Sequence, residues 1–437
     1  MIRIFLMFVF ALSILSKIYA QQPRLLTNDG AWCWFSDPRA IYSSAKKATI
    51  ITGWINKSGD VYAASLEPGT GKITQKKLYT QLEIDDHDNP AFVELEDGNI
   101  VAQYTWHGGG VNGMGVIQHI TDQPRDVQSF SDSLVFKPYS ETLLKKFERE
   151  TYTYANPLRL QSENNKIYSF GRWIGFKPNF ITSTDHGKTW SEPKVIVTSK
   201  NLDTNNRPYV KYYSDGKSRI HLLFTDGHPN SEPLNSVYYC YYESDAFWRA
   251  DGTKICNIAN LPFHPEDASV VYQATQQTGK AWIFDIVIDK KGRPVVAYTR
   301  YPTNREHLYH YAVYDAGKWV DHLLINSGAW FPQDVAGEKQ REENYSGGIT
   351  IDPLHPETVY FSHQVNGIFE ISKATTKNLG ESWEMSAVTR NSQLNNVRPV
   401  IPRYKKKGDP TVLLWMQFRK YTHYTAYDSD IVYQVIK

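Results

Sequence analysis

The sequence has few of the features that mark disulfide-rich or nucleic-acid-binding proteins. It contains only three cysteines, Cys33, Cys240 and Cys256, an odd number that leaves at least one thiol free, metal-bound or intermolecular. A disulfide between Cys240 and Cys256 is one alternative in an oxidising compartment. The 48 lysines and arginines nearly balance the 46 aspartates and glutamates, which gives a formal net charge of +2. Nucleic-acid-binding proteins usually carry a basic stripe, so we expect no nucleic-acid partner and only local recognition of anions.

Long apolar runs and amphipathic helical patterns are also scarce. The one strongly apolar segment, Ile4–Leu15, follows Arg3 and precedes small residues that end at Ala20. It is too short to span a bilayer, and its layout is that of a secretory signal peptide. We therefore predict that residues 1–20 are removed, that the mature chain is secreted or periplasmic, and that it then has no membrane partner.

Short strings rich in Val, Ile, Tyr and Thr take the place of helices and indicate many short strands joined by turns. A turn that leads into an alternating strand occurs seven times: at Ala48–Gly53, Gly98–Tyr104, Lys166–Gly171, Arg219–Thr225, Pro294–Arg300, Glu357–His363 and Pro410–Gln417. This spacing gives about sixty residues per unit, which four short strands and their turns require. A ring of such sheets is a β-propeller, whereas a jelly roll or sandwich would not need seven comparable repeats. We predict an all-β fold in which residues 21–437 form a single seven-bladed propeller domain.

Two turns resemble the Asp-box of bacterial neuraminidase-type repeats. Residues Ser183–Trp190 match the pattern S-x-D-x-G-x-T-W, and Thr376–Trp383 form a degenerate copy with Asn378 in place of the aspartate. In this motif the acidic residue caps turn amides, the glycine permits a positive φ, and the tryptophan packs between blades. We therefore interpret both turns as markers of the fold and not as catalytic sites.

Residue types suited to catalysis concentrate in four segments. These are Gly30–Ala40, Asp85–Ala91 followed by His107, Thr153–Pro157 followed by Arg172, and Arg207–Tyr212 leading to His228. His87 and His107 lie at matching ends of successive strands, and Tyr154 and Arg172 stand in the same relation one blade later. We expect these four side chains to converge near the propeller axis.

This set of residues suits β-elimination beside a uronic acid. The C5 proton of a uronate is only weakly acidic, so the carboxylate must be neutralised by an arginine or a hydrogen-bonding histidine. A base must remove the C5 proton and an acid must protonate the departing O4. A tyrosine can do both if nearby positive charge lowers its pKa from about 10.

The four segments resemble the bacterial-neuraminidase-repeat family of propeller polysaccharide lyases. The motifs that carry the resemblance are Trp34–Ala40, Asp85–Ala91, Tyr154–Pro157 and Arg207–Tyr212. This family includes ulvan lyases and rhamnosyl-glucuronate lyases, with a related α-L-rhamnosidase branch.

The resemblance implies a role for each of the four candidate catalytic residues. His87 and His107 would bind the uronate carboxylate or share proton transfer, Tyr154 would be the base and acid, and Arg172 would neutralise the acid group. It implies cleavage between L-rhamnose and O4 of D-glucuronate, in ulvan or in rhamnose-capped arabinogalactan, with an unsaturated uronate as the product.

Two other functions stay open. A glycoside hydrolase on the same scaffold could use Asp37, Asp85 or Asp86, although the histidine that we associate with the rhamnosidase branch has no counterpart between Gln21 and Asp86. A non-catalytic glycan-binding propeller is the other alternative, because this fold serves many functions.

The remaining expectations concern ligands and partners. Arg207, Tyr209 and Tyr345 are candidate substrate contacts, since a site for an acidic sugar needs aromatic faces and anion-binding donors. His228, Cys240 and Cys256 are candidate ligands for a structural metal ion, zinc or calcium, while catalysis itself requires no cofactor. The expected partner is an acidic polysaccharide or oligosaccharide, and we expect a monomer.

Overall fold

The computed structural model describes residues 22–107, 115–200, 203, 205–303, 306–328 and 347–436. The predicted signal peptide, residues 1–20, lies outside these described residues. Their secondary structure is almost entirely β-strand, with one α-helix, α1 (Glu141–Phe147). Short 3-10 turns lie at Asp86–Asp88, Val127–Ser129, Gln161–Glu163, Ile258–Asn260 and Pro265–Asp267. No helix in the described part of the chain is long and apolar enough to cross a lipid bilayer.

The strands form seven small antiparallel sheets arranged in a ring, which confirms the predicted seven-bladed propeller. The first strand, β1 (Arg24–Thr27), belongs to the last blade. Blade 1 contains β2 (Ala40–Tyr42), β3 (Ile50–Ile55), β4 (Val61–Glu67) and β5 (Lys72–Tyr79). Blade 2 contains β6 (Ala91–Glu94), β7 (Ile100–Thr105), β8 (Val116–Ile120) and β9 (Leu134–Phe136). Blade 3 contains β10 (Glu150–Leu160), β11 (Lys166–Ile174), β12 (Asn179–Ser183) and β13 (Lys194–Val195).

Blade 4 is larger than the others because it has six strands. They are β14 (Val210–Ser214), β15 (Ile220–Thr225), β16 (Val237–Glu243), β17 (Ala246–Trp248), β18 (Lys254–Asn257) and β19 (Ser269–Tyr272). Blade 5 contains β20 (Lys280–Ile288), β21 (Pro294–Tyr301), β22 (Leu308–Asp315) and β23 (Lys318–Asn326). Blade 6 contains β24 (Ile349–Ile351), β25 (Thr358–Val365), β26 (Ile368–Thr375) and β27 (Glu384–Ala387). Blade 7 contains β28 (Asn395–Val400), β29 (Thr411–His423) and β30 (Ala426–Ile436), together with β1.

The seven strands predicted from the repeating pattern are the second strands of the seven blades. They correspond to β3, β7, β11, β15, β21, β25 and β29. A second strand pairs on both sides within its blade, and β3, β7 and β15 are buried along their whole length. Such a strand must be apolar on both faces, which is why the pattern is strongest there.

The two ends of the described chain close the ring. Strand β1 pairs antiparallel with β30, where Arg24 lies opposite Tyr433 and Leu25 opposite Val432. Blade 7 is therefore built from both ends of the propeller domain, and the closure leaves only short exposed sheet edges.

Large apolar side chains fill the space between blades. Trp54, Trp173, Trp282 and Trp415 are fully buried and come from blades 1, 3, 5 and 7. The two Asp-box-like turns add further contacts of this kind.

In the first of these turns, Asp185 Oδ1 accepts a hydrogen bond from the Thr189 amide (2.9 Å), and Trp190 stacks on Phe136 of blade 2. In the second, Asn378 Oδ1 accepts from the Ser382 amide (3.0 Å) in the same way. Both turns thus act within the fold.

The first strands of neighbouring blades contact one another and surround the axis. Because adjacent strands are antiparallel, the start of each first strand and the end of each second strand lie at the same face of the ring. Two buried ion pairs, Asp37 with Lys211 and Asp285 with Arg403, link segments of different blades near this axis.

Candidate active site

The structure brings together His87, His107, Tyr154 and Arg172 at one face of the ring. His87 lies in the 3-10 turn before β6, His107 follows β7, and Tyr154 and Arg172 lie in β10 and β11. The two imidazole rings stack with their centroids 4.0 Å apart, and the His87 ring lies 5.9 Å from that of Tyr154. The Arg172 guanidinium lies 5.2 Å from the Tyr154 ring. The predicted convergence of two blades is thus present, while the roles of the four residues stay predictions.

Asp85 orients both histidines at once. Its Oδ1 lies 2.6 Å from His87 Nδ1, and its Oδ2 lies 2.8 Å from His107 Nδ1. The backbone amide of His107 also donates to Glu83 Oε1 at 2.6 Å. One carboxylate therefore fixes the Nδ1 atoms of both rings, which leaves Nε2 of each ring for other partners. The sequence pattern gave no sign of this bridging role.

The pKa values of the two histidines shift in opposite directions. Burial opposes the charged form of His87, but Cys33 and Asp85 outweigh it and raise the pKa of His87 well above its usual value. Burial and the charge on His87 lower the pKa of His107 to about 4. Near neutral pH the pair thus consists of a cationic and a neutral imidazole, because two stacked rings do not both ionise readily.

Tyr154 lies in a strained part of β10. Its φ is 66°, in the left-handed region that a tyrosine rarely occupies. The pairing of β10 with β11 shifts register on both sides of Thr153, so Tyr154 belongs to a β-bulge. The facing Gly171 is required by packing, since a Cβ there would lie 2.6 Å from the Tyr154 carbonyl oxygen. Bulges and strained residues concentrate at functional sites, where they direct a side chain away from the sheet.

Arg172 is a buried cation between two tyrosines. Its guanidinium lies 5.2 Å from the Tyr154 ring and 4.6 Å from the Tyr209 ring, and only 5% of the residue is exposed. Its Nε and Nη1 atoms make no hydrogen bond to any described residue, and the described groups that raise its pKa are Tyr209, which also hydrogen-bonds to it, Tyr154 and Cys33, with no carboxylate among them. Buried guanidinium donors of this kind suit a carboxylate ligand.

Arg207 and Tyr209, the two described candidates for substrate contacts, belong to the same cleft. The Arg207 guanidinium lies 4.1 Å from the Phe176 ring, and burial together with the charge of Arg172 lowers the pKa of Arg207. Tyr209 packs against Phe35 with ring centroids 4.9 Å apart. The cleft thus has two cations and aromatic walls. The third candidate, Tyr345, lies outside the described residues.

Two asparagines join sequence motifs that are far apart in the chain. Asn89 Oδ1 accepts a hydrogen bond from the Cys33 amide at 3.0 Å, and Asn156 Oδ1 accepts from the Asp37 amide at 2.9 Å. Lys211 completes the arrangement through its ion pair with Asp37. The segment between β1 and β2 therefore forms the base of the site and is held by blades 2, 3 and 4.

His228 packs in this site, and among the described residues it forms no close group of metal-ligand atoms with Cys240 and Cys256. Its ring lies 5.5 Å from that of Tyr209 and 4.8 Å from that of Trp282, and burial together with nearby arginine charge lowers its pKa to about 3. Cys240 is buried in the core, and both Cys240 and Cys256 are free thiols. Among the described residues, neither group of three close metal-ligand atoms contains any member of the predicted set. The structural metal site predicted from spacing is not assembled in this structure.

Tyr424, at the tip of the long β29–β30 hairpin, is a site residue that sequence analysis missed. Its ring packs edge-on against His87 (4.9 Å) and His107 (5.3 Å). Its carbonyl oxygen accepts a hydrogen bond from the Asp86 amide at 3.0 Å. The last blade therefore supports a histidine turn that lies more than 300 residues earlier, and no local sequence signal indicates such a contact.

The fold and the cleft define a β-propeller protein with a cationic, aromatic-walled site on one face of the ring. The profile of the BNR repeat-containing family matches residues 50–326, which is more than half of the chain. The chain therefore belongs to this family, as its motifs predicted. A comparison with curated proteins gives no match.

Two similar solved structures are those of an ulvan lyase of polysaccharide lyase family 25. One has a TM-score of 0.69 and 15% identity over 95% of this chain and 96% of that chain. The other, in complex with -[GlcA(1-4)Rha3S]-, has a TM-score of 0.68 and 14% identity over the same shares of the two chains. The polysaccharide lyase Uly1 is also similar, with a TM-score of 0.55 and 13% identity over 94% of this chain and 96% of that chain. At these identities the likeness establishes the fold.

Proposed function

We propose that the protein is a secreted polysaccharide lyase that cleaves the linkage between L-rhamnose and C4 of D-glucuronate by β-elimination. The observation that carries this proposal is the geometry around Arg172. Its buried guanidinium, which has no acidic partner among the described residues, lies beside Tyr154 and the histidine pair. A uronate carboxylate would supply the missing anion.

The reaction has three tasks: neutralising the carboxylate, removing the C5 proton and protonating O4. Arg172 and the cationic His87 neutralise the uronate carboxylate, which makes the C5 proton more acidic. Tyr154, as the phenolate, removes this proton, the C4–O4 bond breaks, and a double bond forms between C4 and C5. The proton then passes from Tyr154 to O4 of the departing rhamnose. No water molecule is consumed, so the masses of the two products sum to that of the substrate.

The neutral His107 supports this reaction as a hydrogen-bond acceptor. Since its Nδ1 binds Asp85, its Nε2 can accept a hydrogen bond from the sugar or from the Tyr154 hydroxyl. Asp85 keeps the two rings stacked, while Cys33 beside His87 and the burial of His107 give the rings different charges.

The carboxylates named for hydrolysis fit that reaction poorly. Asp37, Asp85 and Asp86 are each buried and already bound by cationic or histidine side chains. A glycoside hydrolase normally needs two carboxylates that reach the substrate from opposite sides. This arrangement favours elimination over hydrolysis on the same scaffold.

The test is an absorbance assay for the unsaturated uronate, with purified protein on ulvan and on gum arabic in parallel. The proposal predicts a rise in ultraviolet absorbance on at least one polymer, and the responding polymer identifies the substrate class. Release of rhamnose or of reducing ends without that rise would establish a hydrolase. Binding without any product would establish a glycan-binding propeller.

A further inference from the structure

Three side chains at the base of the site place a sulfur, an oxygen and a nitrogen atom close to one another. The Sγ of Cys33, a carboxylate oxygen of Asp86 and an imidazole nitrogen of His87 all lie within 4.8 Å of one another. Cys33 and Asp86 are 1% and 0% exposed. The Cys33 amide donates to the Asp86 carbonyl oxygen at 2.8 Å, so the backbone holds the two segments together.

Asp86 has an unused acceptor in this cluster. Its Oδ2 lies 2.6 Å from Arg398 Nη1 and also binds the Tyr421 hydroxyl. Its Oδ1 lies 3.3 Å from His87 Nδ1 but makes no hydrogen bond to any described residue. A buried carboxylate oxygen without a donor is costly, and a cation bound to Oδ1 would remove that cost while Arg398 keeps Oδ2.

The donor set selects the kind of cation. Calcium and magnesium prefer oxygen ligands alone, whereas a thiolate, an imidazole and a carboxylate together suit zinc and similar ions. With zinc–ligand distances of about 2.0–2.3 Å, ligand atoms around a tetrahedral ion lie roughly 3.3–3.8 Å apart. Small side-chain movements, with release of the protons of the His87 imidazolium and the Cys33 thiol, would therefore complete three corners. The His87 side chain is 12% exposed, so an ion can enter from the cleft and keep a water molecule as its fourth ligand.

We propose that a thiophilic divalent cation of the zinc class binds Cys33, Asp86 and His87 and thereby inhibits the protein. The inhibition rests on the proposed lyase function, because the ion takes His87 out of the set that binds the uronate. The binding itself does not depend on that function. A second triad, Asp85, His87 and His107, is equally compact. However, it lacks sulfur, and its carboxylate already binds both histidines.

Cobalt(II) titration of the mature protein tests the binding, because a thiolate ligand gives a sulfur-to-cobalt charge-transfer band. We expect the band in the wild type and in Cys256→Ser, which removes the more exposed thiol, and its loss in Cys33→Ser. Zinc should displace cobalt from the wild type and bind at least tenfold more weakly to Cys33→Ser. A band that survives in Cys33→Ser, or no band in the wild type, would overturn the proposal.

A second measurement does not depend on any variant. X-ray absorption of the zinc-loaded wild type should show one sulfur at about 2.3 Å together with nitrogen or oxygen ligands. A shell of nitrogen and oxygen alone would assign the ion to the other triad and contradict the proposed ligands.

The inhibition is tested by zinc titration of the polysaccharide assay, with each variant compared to its own metal-free rate. Zinc should inhibit the wild type and Cys256→Ser, a chelator should restore them, and Cys33→Ser should need at least tenfold more zinc. Cobalt binding in a protein that cleaves no polymer would refute the lyase function and leave the metal site standing. Cleavage that zinc does not affect would refute the inhibition alone.

Discussion

Tyr154 combines a strained backbone with a central place in the cleft, and it provides the most specific prediction at the scale of single residues. The Tyr154→Phe variant keeps the ring packing against Phe35 but removes the hydroxyl. Because general acid–base groups contribute roughly 10²–10⁴-fold to a rate, we expect kcat to fall by that factor with little change in KM. Tyr139→Phe, at a tyrosine that is 51% exposed, is the matched control and should keep full activity. An active Tyr154→Phe enzyme would assign the proton transfers to another residue.

Arg172 gives a second prediction at this scale. Lysine keeps the positive charge but loses the planar, two-point contact with a carboxylate. A hydrogen bond to a charged group is worth about 1.5–3 kcal/mol, so kcat/KM of Arg172→Lys should fall about tenfold to a hundredfold. The wild type should discriminate between the native polymer and its methyl ester, in which the acid group is uncharged but the C5 proton stays acidic, and Arg172→Lys should discriminate less. If Arg172→Lys discriminates between the native and the esterified polymer as strongly as the wild type does, Arg172 does not bind the carboxylate.

Only part of the site could be predicted from the sequence. His87, His107, Tyr154 and Arg172 lie at equivalent strand ends of adjacent blades, so spacing and motif were sufficient to group them. His228 was assigned to a metal because cysteines follow it in the chain, whereas its ring packs on Tyr209 and Trp282. Closeness in the sequence is a poor guide here. The His228 ring packs on Tyr209 in the cleft, whereas Cys240 is buried in a hydrophobic core cluster.

At the scale of elements, the long β29–β30 hairpin forms one wall of the site. Its tip places Tyr424 against both histidines. Tyr424→Ala removes these ring contacts but keeps the backbone bond to Asp86. Since aromatic contacts contribute about 0.5–1.5 kcal/mol beyond burial, we expect a two- to tenfold loss of kcat/KM. Tyr424→Phe should retain activity, and equal losses in both variants would instead point to a role for the hydroxyl.

Some strands of the propeller are easier to predict from the sequence than others. The second strand of every blade was found from sequence, because it is buried on both sides and reads as an apolar run between turns. The two extra strands of blade 4, β18 and β19, have no counterpart in the predicted four-stranded unit. Both are short, and Lys254–Asn257 has no buried residue. Strand β18 pairs with β17 and β19 pairs with β16, so neither has a sequence pattern of its own.

At the scale of the whole molecule, buried ion pairs near the axis join blades that are distant in sequence. Burial opposes ionisation of Asp37, but the charges of Arg39 and Lys211 outweigh it and hold the pKa of Asp37 well below its usual value. A carboxyl of this kind stabilises the fold fully above its unfolded pKa of about 3.9, and the stabilisation is lost as the pH falls below that value.

The Asp37→Asn variant tests this account of the axis. Removing one partner of a buried pair leaves Lys211 unpaired, so we expect a loss of about 3–5 kcal/mol in unfolding free energy at neutral pH. The deficit should shrink as the pH falls below 4, because the unfolded wild-type chain then binds a proton at Asp37 that the folded protein does not bind. Denaturant unfolding at several pH values measures both effects. The exposed pair Lys377–Glu384 supplies the control, since Glu384→Gln should change stability little at any pH. A deficit for Asp37→Asn that does not depend on pH would contradict the assignment.

The central claim is that this propeller breaks a glycosidic linkage by elimination and not by addition of water. Proton NMR of the digest of a rhamnosyl-glucuronate polymer tests it most directly, because elimination creates a vinylic proton at C4 of the uronate. We predict that this signal grows in step with chain cleavage and that Tyr154→Phe abolishes both. Cleavage that yields an intact, saturated glucuronate would contradict the account and make the protein a hydrolase.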